Sequence, residues 1–185
     1  MGRVSQAQAR ENRERIVATA AGLFRERGIA GVSVADISAA AGLTHGGFYK
    51  QFESKDALVT EAIGYAFAEQ ATRLTETGAR DGRRALLDAY LSIGHRDEPA
   101  AGCPTAGFAG DVARAAGGEP ARDAYAEGVE AYARMLGTTG EPDLAAVSTM
   151  VGALLLARAT AGTALSERIL TAARDSLAER ETLLE

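Results

Sequence analysis

Apolar positions recur along this chain at three- and four-residue intervals, and no stretch sustains the two-residue alternation of a half-buried strand. The pattern predicts an all-α protein. Residues 10–27 put Ile16, Ala20, Leu23 and Phe24 on one helical face, and Gly28 and Gly31 then turn the chain. A short periodic run, Val34, Ile37 and Ala41, predicts a second helix, and Phe48 with Phe52 a third. The face of the first helix is expected to pack on Val34, Ile37 and Phe48. From Lys55 the pattern continues through Leu58, Val59, Ala62, Ile63, Ala66 and Phe67 to about Thr77, with Gly78 as the expected stop. Five further helices are predicted over about 83–93, 104–116, 120–138 and 142–164 and from the cap Ser166 onward, with a break at residues 95–99.

The stretch between Ser33 and Asp56 carries the most specific spacing. Ser33 with Asp36 three residues later is a capping-box arrangement that opens a helix. Gly42 supplies the positive φ of a tight turn, and Leu43 tucks an apolar side chain between two helices. Thr44 then caps the next helix, and Ser54 the one after. With Phe48 and Phe52 turned inward, His45, Gly46, Gly47, Tyr49 and Lys50 form a donor-rich surface with little side-chain bulk beside two glycines. Lys55, in the first turn of its helix, opposes the helix dipole and would be offset by a phosphate.

These residues, together with Gly31, Val32, Ala40 and Leu58, resemble the DNA-binding signature of the TetR family over about residues 10–60. The resemblance implies an N-terminal three-helix helix-turn-helix domain, residues 1–54, and a C-terminal six-helix ligand-binding and dimerisation bundle, residues 55–185. It implies a ligand-responsive, homodimeric DNA-binding regulator, most often a repressor of a palindromic double-stranded DNA operator, and the helix from Lys55 would connect effector to reader. Ser33 and Thr44 would contact phosphates, His45, Gly46 and Gly47 base edges, and Tyr49, Lys50 and Lys55 the backbone. No Arg, Asn or Gln stands among His45, Gly46 and Gly47, so bidentate base contacts are scarce there. The N-terminal residues 1–9 read as an arm, either a solvated tail or a segment whose Arg3 reaches the DNA.

In the second half, Phe67, Tyr90, Phe108, Tyr125, Tyr132 and Met135 offer apolar and amphipathic surface, either as ordinary core or as walls of a pocket for a small apolar effector. Cys103 is grouped with them. It precedes Pro104, which places it at a helix N-cap and leaves two roles open, a buried hydrophobe or a thiol that senses electrophiles or oxidants. The Gly-Cys-Pro stretch also resembles a subgroup of the same family. Ala153, Ala157 and Ala161 form a small-residue stripe, and with Leu154, Leu155, Ile169, Leu170 and Leu177 they are expected either at a dimer interface, where the family forms its homodimer, or closing a monomeric bundle.

Composition narrows the classes. A chain of 185 residues makes one or two compact units, and four prolines with 5% aromatic residues suit helices. The net charge of −5 looks unfavourable for a DNA binder until it is divided: residues 1–56 carry eight Lys and Arg against six Asp and Glu (+2), and residues 57–185 carry twelve against nineteen (−7). One cysteine excludes an internal disulfide and fits a reducing, cytoplasmic setting. The polar first fifteen residues lack the apolar core of a secretory signal. The run 144–165 contains Arg158, Gly152 and Gly162 and reads as a buried helix rather than a membrane span. His45 and His95 are the only histidines, no metal-ligand spacing occurs, and Gly46-Gly47 lacks the Lys-Ser/Thr of a phosphate loop, so neither an enzyme nor a cofactor is expected. Three readings stay in view: the ligand-released repressor, a thiol-sensing repressor using Cys103, and a ligand-binding helical dimer that no longer binds DNA.

Overall fold

The computed structural model describes residues 6–137 and 141–182 and, within them, all side chains except those at 45, 78–81 and 180–182. Arg3 and the first half of the expected arm lie outside the described residues; residues 6–9 already belong to the first helix. Among the described residues there are nine helices and no strand: α1 (Gln6–Arg27), α2 (Val34–Ala40), α3 (His45–Phe48), α4 (Lys55–Tyr90), α5 (Ile93–Asp97), α6 (Pro104–Ala113), α7 (Gly118–Leu136), α8 (Leu144–Ala159) and α9 (Ala164–Thr182).

The caps of the first four helices follow from local chemistry. Ser33 accepts the Asp36 amide at 3.1 Å while the Asp36 carboxylate accepts the Ser33 amide at 2.8 Å, the reciprocal capping box. Gly42 has φ 67°, and the Leu43 amide closes the turn onto the Ser38 carbonyl at 2.8 Å. The Thr44 and Ser54 hydroxyls cap α3 and α4. Ile16, Ala20 and Phe24 of α1 are buried with Ile37 and Phe48, and Leu23 and Val34 pack against that cluster. Each large apolar side chain buried there stabilises the domain by about 1.5–3 kcal/mol.

The chain does not stop at Gly78. It remains helical to Tyr90 and breaks instead at Gly82, whose φ 78° and ψ 177° are open only to glycine. A glycine inside a helix costs roughly 0.5–1 kcal/mol, too little to end one by itself. Beyond the break, Arg83 donates to the Leu136 carbonyl and lies 3.6 Å from Asp143, which fixes the last turns of α4 beside the segment leading into α8.

Three other expected boundaries move. The expected break at residues 95–99 is partly occupied by α5, whose cap Ser92 accepts the His95 amide at 3.1 Å. The guanidinium of Arg158, from α8, covers the carbonyls of His95 and Arg96 at 3.1 Å each. Helix α8 is shorter than expected at both ends: Asp143 caps it, and it stops at Ala159. Ser166 is not the cap of the last helix, which starts at Ala164; its buried hydroxyl donates to the Ala157 carbonyl at 2.7 Å and accepts from Arg96 at 2.8 Å.

Two apolar clusters result. The first joins α1, α2, α3 and the first half of α4 to Phe108 and Val112 of α6 and Ala121 of α7. The second contains the end of α4, Cys103, and the inner faces of α7, α8 and α9. The first core therefore extends past residue 54 and takes in part of the second bundle. Gly128 of α7 sits directly against Phe67 of α4: a Cβ at Gly128 would lie 2.3 Å from the ring, so only glycine permits this approach.

Candidate functional site

Two places in this framework carry chemistry that packing alone does not consume. The first is the surface around α3. Phe48 and Phe52 are buried with ring centroids 5.6 Å apart, which turns the rest of the segment outward. Gly46 and Lys50 are exposed, and Tyr49, 55% exposed, stands edge-on to Phe48. The Gly47 amide donates to the Thr44 hydroxyl at 3.2 Å, so Thr44 is exposed but already serves as a cap. Ser33 is likewise exposed and engaged; its hydroxyl donates to the Asp36 carboxylate at 2.5 Å, and that bond is the main cause holding Asp36 below the usual carboxylate range. His45 belongs to α3, and its side chain lies outside the described ones.

The cations of this domain divide into two sets. Lys50 makes no ion pair among the described residues and faces solvent. Lys55 does not: it is half-buried, its ammonium donates to the Ile29 carbonyl, and it lies 5.8 Å from the Phe24 ring centroid. The carbonyl offsets the unfavourable position of a cation in the first turn of α4. Arg13 donates to the Gln51 carbonyl, pairs with Glu61 and covers the Phe52 ring at 4.1 Å. Arg15 donates to the Ala41 carbonyl at 3.0 Å and so satisfies the end of α2. Charge counting along the sequence includes Arg13 and Lys55 in the basic excess of residues 1–56; both are engaged in holding the three-helix arrangement together.

The second place is a cavity of about 320 Å³ between α4, α5 and the segment entering α6. Leu74, Leu86, Ala89 and Ala101 supply its apolar wall, and Gln70, Arg73, Tyr90, His95, Glu98 and Cys103 its polar one. Cys103 is the N-cap of α6, buried, and makes no cap hydrogen bond; its thiol instead accepts from the Gln70 amide at 3.4 Å. The Cys103 backbone N–H donates to Nε2 of His95 at 3.0 Å, and Nδ1 of His95 lies 2.7 Å from the Tyr90 carbonyl. This pair of contacts requires a neutral ring protonated at Nδ1. Burial also lowers the His95 pKa below its ordinary value of 6.5. The buried Tyr90 hydroxyl lies near Cys103 and Tyr132 without a well-formed hydrogen bond to either, and burial, then Cys103, raises its pKa well above 10. The hydroxyl is therefore neutral and a potential donor.

Of the residues expected around an effector, Tyr90 and Cys103 line this cavity. Phe67, Tyr132 and Met135 line a separate space of about 30 Å³, room for little more than a water molecule and almost wholly apolar. Phe108 is buried in the first core, and the Tyr125 hydroxyl donates to the Thr105 carbonyl at 2.8 Å, tying α7 to α6. Gln70 and Arg73 were not singled out by sequence. Their role depends on α4 meeting the α5–α6 segment, which no local spacing announces.

The residues expected between subunits are mostly covered within one chain. Ala153, Leu154, Ala157, Leu170 and Leu177 are buried inside the protomer, and Ile169 is partly covered; of the expected set Leu155 and Ala161 are exposed. The side of α8 left uncovered carries Leu144, Leu155 and Leu156, and Leu165 stands exposed at the start of α9. A helical stripe of small residues marks a close helix–helix approach, and here that approach is α8 on α9 within one chain. No described helix is long and apolar enough to cross a membrane, and no cluster of metal-ligating side chains occurs among the described residues.

Residues 16–62 match the family profile of the bacterial regulatory proteins of the tetR family. An uncharacterized HTH-type transcriptional regulator of Mycobacterium tuberculosis is 30% identical over 162 residues, which span 79% of this chain and 84% of that protein. A TetR transcriptional regulator from Chloroflexus aurantiacus superimposes with a TM-score of 0.71 at 28% identity, covering 96% of this chain and 97% of its own. A TetR-family regulator from Cytophaga hutchinsonii shares the fold with a TM-score of 0.74 at 22% identity, over 95% and 97% of the two chains. With a capped helix-turn-helix that leaves a Gly-, Tyr- and Lys-bearing surface exposed, joined by α4 to a helical C-terminal half, the chain belongs to the TetR family of bacterial transcriptional regulators.

Proposed function

We propose that this regulator is a homodimeric repressor released from a palindromic operator when a small, mostly apolar molecule enters the cavity beside Cys103. The observation that carries this reading is the pairing of an exposed reading surface with a cavity whose wall includes α4, the helix that begins inside the reader. Residues 1–54 act as the DNA-binding unit and 55–185 as the effector and dimer unit. Gly46 and Gly47 let α3 approach a major-groove floor, with His45 on the same helix. Tyr49 and Lys50 hold the phosphate backbone, assisted by the exposed ends of α2 and α3 at Ser33 and Thr44. Lys55 acts by anchoring α4 rather than by meeting DNA.

The cavity suits an apolar body against Leu74 and Leu86 with one hydrogen-bond acceptor directed at the Tyr90 hydroxyl. Occupation favours an arrangement of the two readers that fits poorly on half-sites about 34–36 Å apart, which is a population shift. The dimer forms through the uncovered side of α8 with the start of α9, through Leu144, Leu155, Leu156 and Leu165. The protein works in the cytoplasm, where its operator lies.

Binding of the purified protein to DNA flanking its own gene, across a salt series and beside a Tyr49→Ala/Lys50→Ala double variant, tests the reading. Tight, steeply salt-dependent binding that the variant loses supports it. Equal, weak, sequence-insensitive binding by both sinks it and favours a helical dimer that no longer reads DNA.

A second reading, repression relieved by thiol chemistry, is favoured by the Cys103 thiol lining the cavity and accepting from Gln70. It fails if Cys103→Ser responds to electrophiles on DNA as the parent does.

A further inference from the structure

Among the described residues Arg25 is the one charged residue that is buried, its side chain 3% exposed in the last turn of α1. We infer that Arg25 is the positioning residue through which two segments lining the effector cavity grip α1 and thereby set the reader. The inference rests on the ligand-responsive reading above.

The guanidinium is shared three ways. Its Nε donates to the Ala21 carbonyl of its own helix at 3.1 Å, one terminal nitrogen donates to the Gly102 carbonyl at 3.0 Å, and the other to the Glu69 carboxylate at 3.2 Å. Each of these two acceptors adjoins residues that line the cavity: Gly102 lies between Ala101 and Cys103, and Glu69 precedes Gln70. The Cys103 amide is held by His95, so this segment reaches Arg25 through backbone. Glu69 is on α4, and its second oxygen lies 4.0 Å from Arg73; both Gln70 and Arg73 line the cavity. Helix α6 presses on the arginine stem as well, since a Cβ at Gly107 would stand 2.7 Å from Cγ of Arg25. One turn on, the Ile29 amide donates to Asp111 of α6 at 3.0 Å.

On its other side α1 is continuous with the reading surface. Phe24, next to Arg25, is buried with Ile37 and Phe48, and Arg13 and Arg15 of the same helix hold the Gln51 and Ala41 carbonyls. A displacement of α1 therefore carries α2 and α3 with it.

A buried charge makes this link sensitive to geometry. Desolvation disfavours the cation and lowers its pKa, with Glu69 opposing that effect. The arrangement is satisfied only while all its acceptors stay in reach, and losing one leaves uncompensated charge in the interior. An occupant that takes up His95 or moves the Cys103 segment acts on Gly102. One that draws Arg73 away acts on Glu69. Both inputs converge on one guanidinium, which discriminates two placements of α1 more sharply than an apolar contact of the same area.

Coupling of binding free energies is reciprocal, so DNA on the reader must shift the population of cavity arrangements that an effector would select. Cys103, the single cysteine of the chain, reports on it. The experiment measures iodoacetamide alkylation of Cys103 with and without a saturating fragment of the DNA flanking the protein's own gene, in the parent, Arg25→Lys and Glu69→Gln. The expected result is a rate change of roughly five-fold or more on DNA in the parent, reduced to less than about two-fold in Arg25→Lys, with DNA still bound and thermal unfolding still cooperative. A merely structural arginine would alter stability with and without DNA and leave this ratio intact. A ratio in Arg25→Lys equal to the parent's overturns the inference, as does a parent whose alkylation ignores bound DNA. If Arg25→Lys fails to fold, the ratio in Glu69→Gln decides in the same way. A parent that binds no fragment overturns the regulator reading, and the coupling falls with it.

Discussion

His95 receives the Cys103 amide proton on Nε2 at 3.0 Å, so a histidine eight residues upstream completes the N-terminus of α6 where the cysteine side chain does not. The bond exists only while Nε2 is unprotonated. Around the ring stand Tyr90 at a centroid distance of 4.6 Å, Arg158 on the His95 carbonyl, and Arg73 and Glu98 across the cavity.

Stability is expected to fall with acid through this ring. Burial lowers the folded-state pKa of His95 below 6.5, with Arg158 and Arg73 adding to the shift and the Tyr90 carbonyl opposing it. Below 6.5 the unfolded chain therefore binds more protons than the folded one, and stability drops as pH falls toward the folded pKa, whereas above 6.5 the contribution is complete. Urea unfolding of the parent and His95→Gln between pH 7.5 and 5 checks this: the parent's loss over that window should exceed the variant's.

Lys50 and Lys55 are expected to separate. Lys50→Ala should weaken DNA binding about ten-fold and reduce the salt slope by about one, with folding stability changed by no more than about 0.5 kcal/mol. Lys55→Ala removes the donor to the Ile29 carbonyl and should destabilise the protein by about 1–3 kcal/mol without its own effect on the salt slope. Denaturation curves beside a salt series on DNA distinguish the two.

The two neighbouring leucines Leu154 and Leu156 are expected to fail differently. Leu154 is fully buried and Leu156 is 59% exposed. Leu154→Ala should cost about 2–5 kcal/mol as a cavity in the protomer. Leu156→Glu should keep the helical circular-dichroism signal while sedimentation shifts from dimer to monomer. A Leu156→Glu protein that sediments as the parent does would move the interface elsewhere.

Gly128→Ala should destabilise the α4–α7 contact by about 1–3 kcal/mol, because the new methyl group meets the Phe67 ring and one helix must move. Adding Phe67→Leu should recover part of the loss, and a double-mutant cycle on denaturation midpoints measures the coupling.

Most of the reader was legible in the chain because its signals are local. A serine three residues before an aspartate, a glycine where φ must be positive, and two phenylalanines one turn apart fix caps, turn and buried face within a few bonds. The fate of the cations was less legible. Arg25 did leave a trace, since it stands one turn after the buried Ala21 on an apolar face, but the carbonyl it serves lies 77 residues away. Lys55 reads as a phosphate ligand until the Ile29 carbonyl is seen beneath it. The same holds at Ala153, Ala157 and Leu170, where periodicity marks a buried face but cannot say whether the covering helix comes from this chain or another copy.

Periodicity, caps and turn residues, properties of neighbours along the chain, determined that this protein is helical, that residues near Ser33 to Asp56 form a helix-turn-helix, and that an outward surface of Gly46, Gly47, Tyr49 and Lys50 exists. Which helices meet was decided by packing. The cavity beside Cys103 and the sharing of Arg25 arise where residues tens of positions apart come together, and the leucines of α8 stay exposed where no segment of the chain covers them. Steric fit and the satisfaction of buried polar groups act between such segments only after the chain has folded, and for that reason no pattern along the sequence encodes them alone.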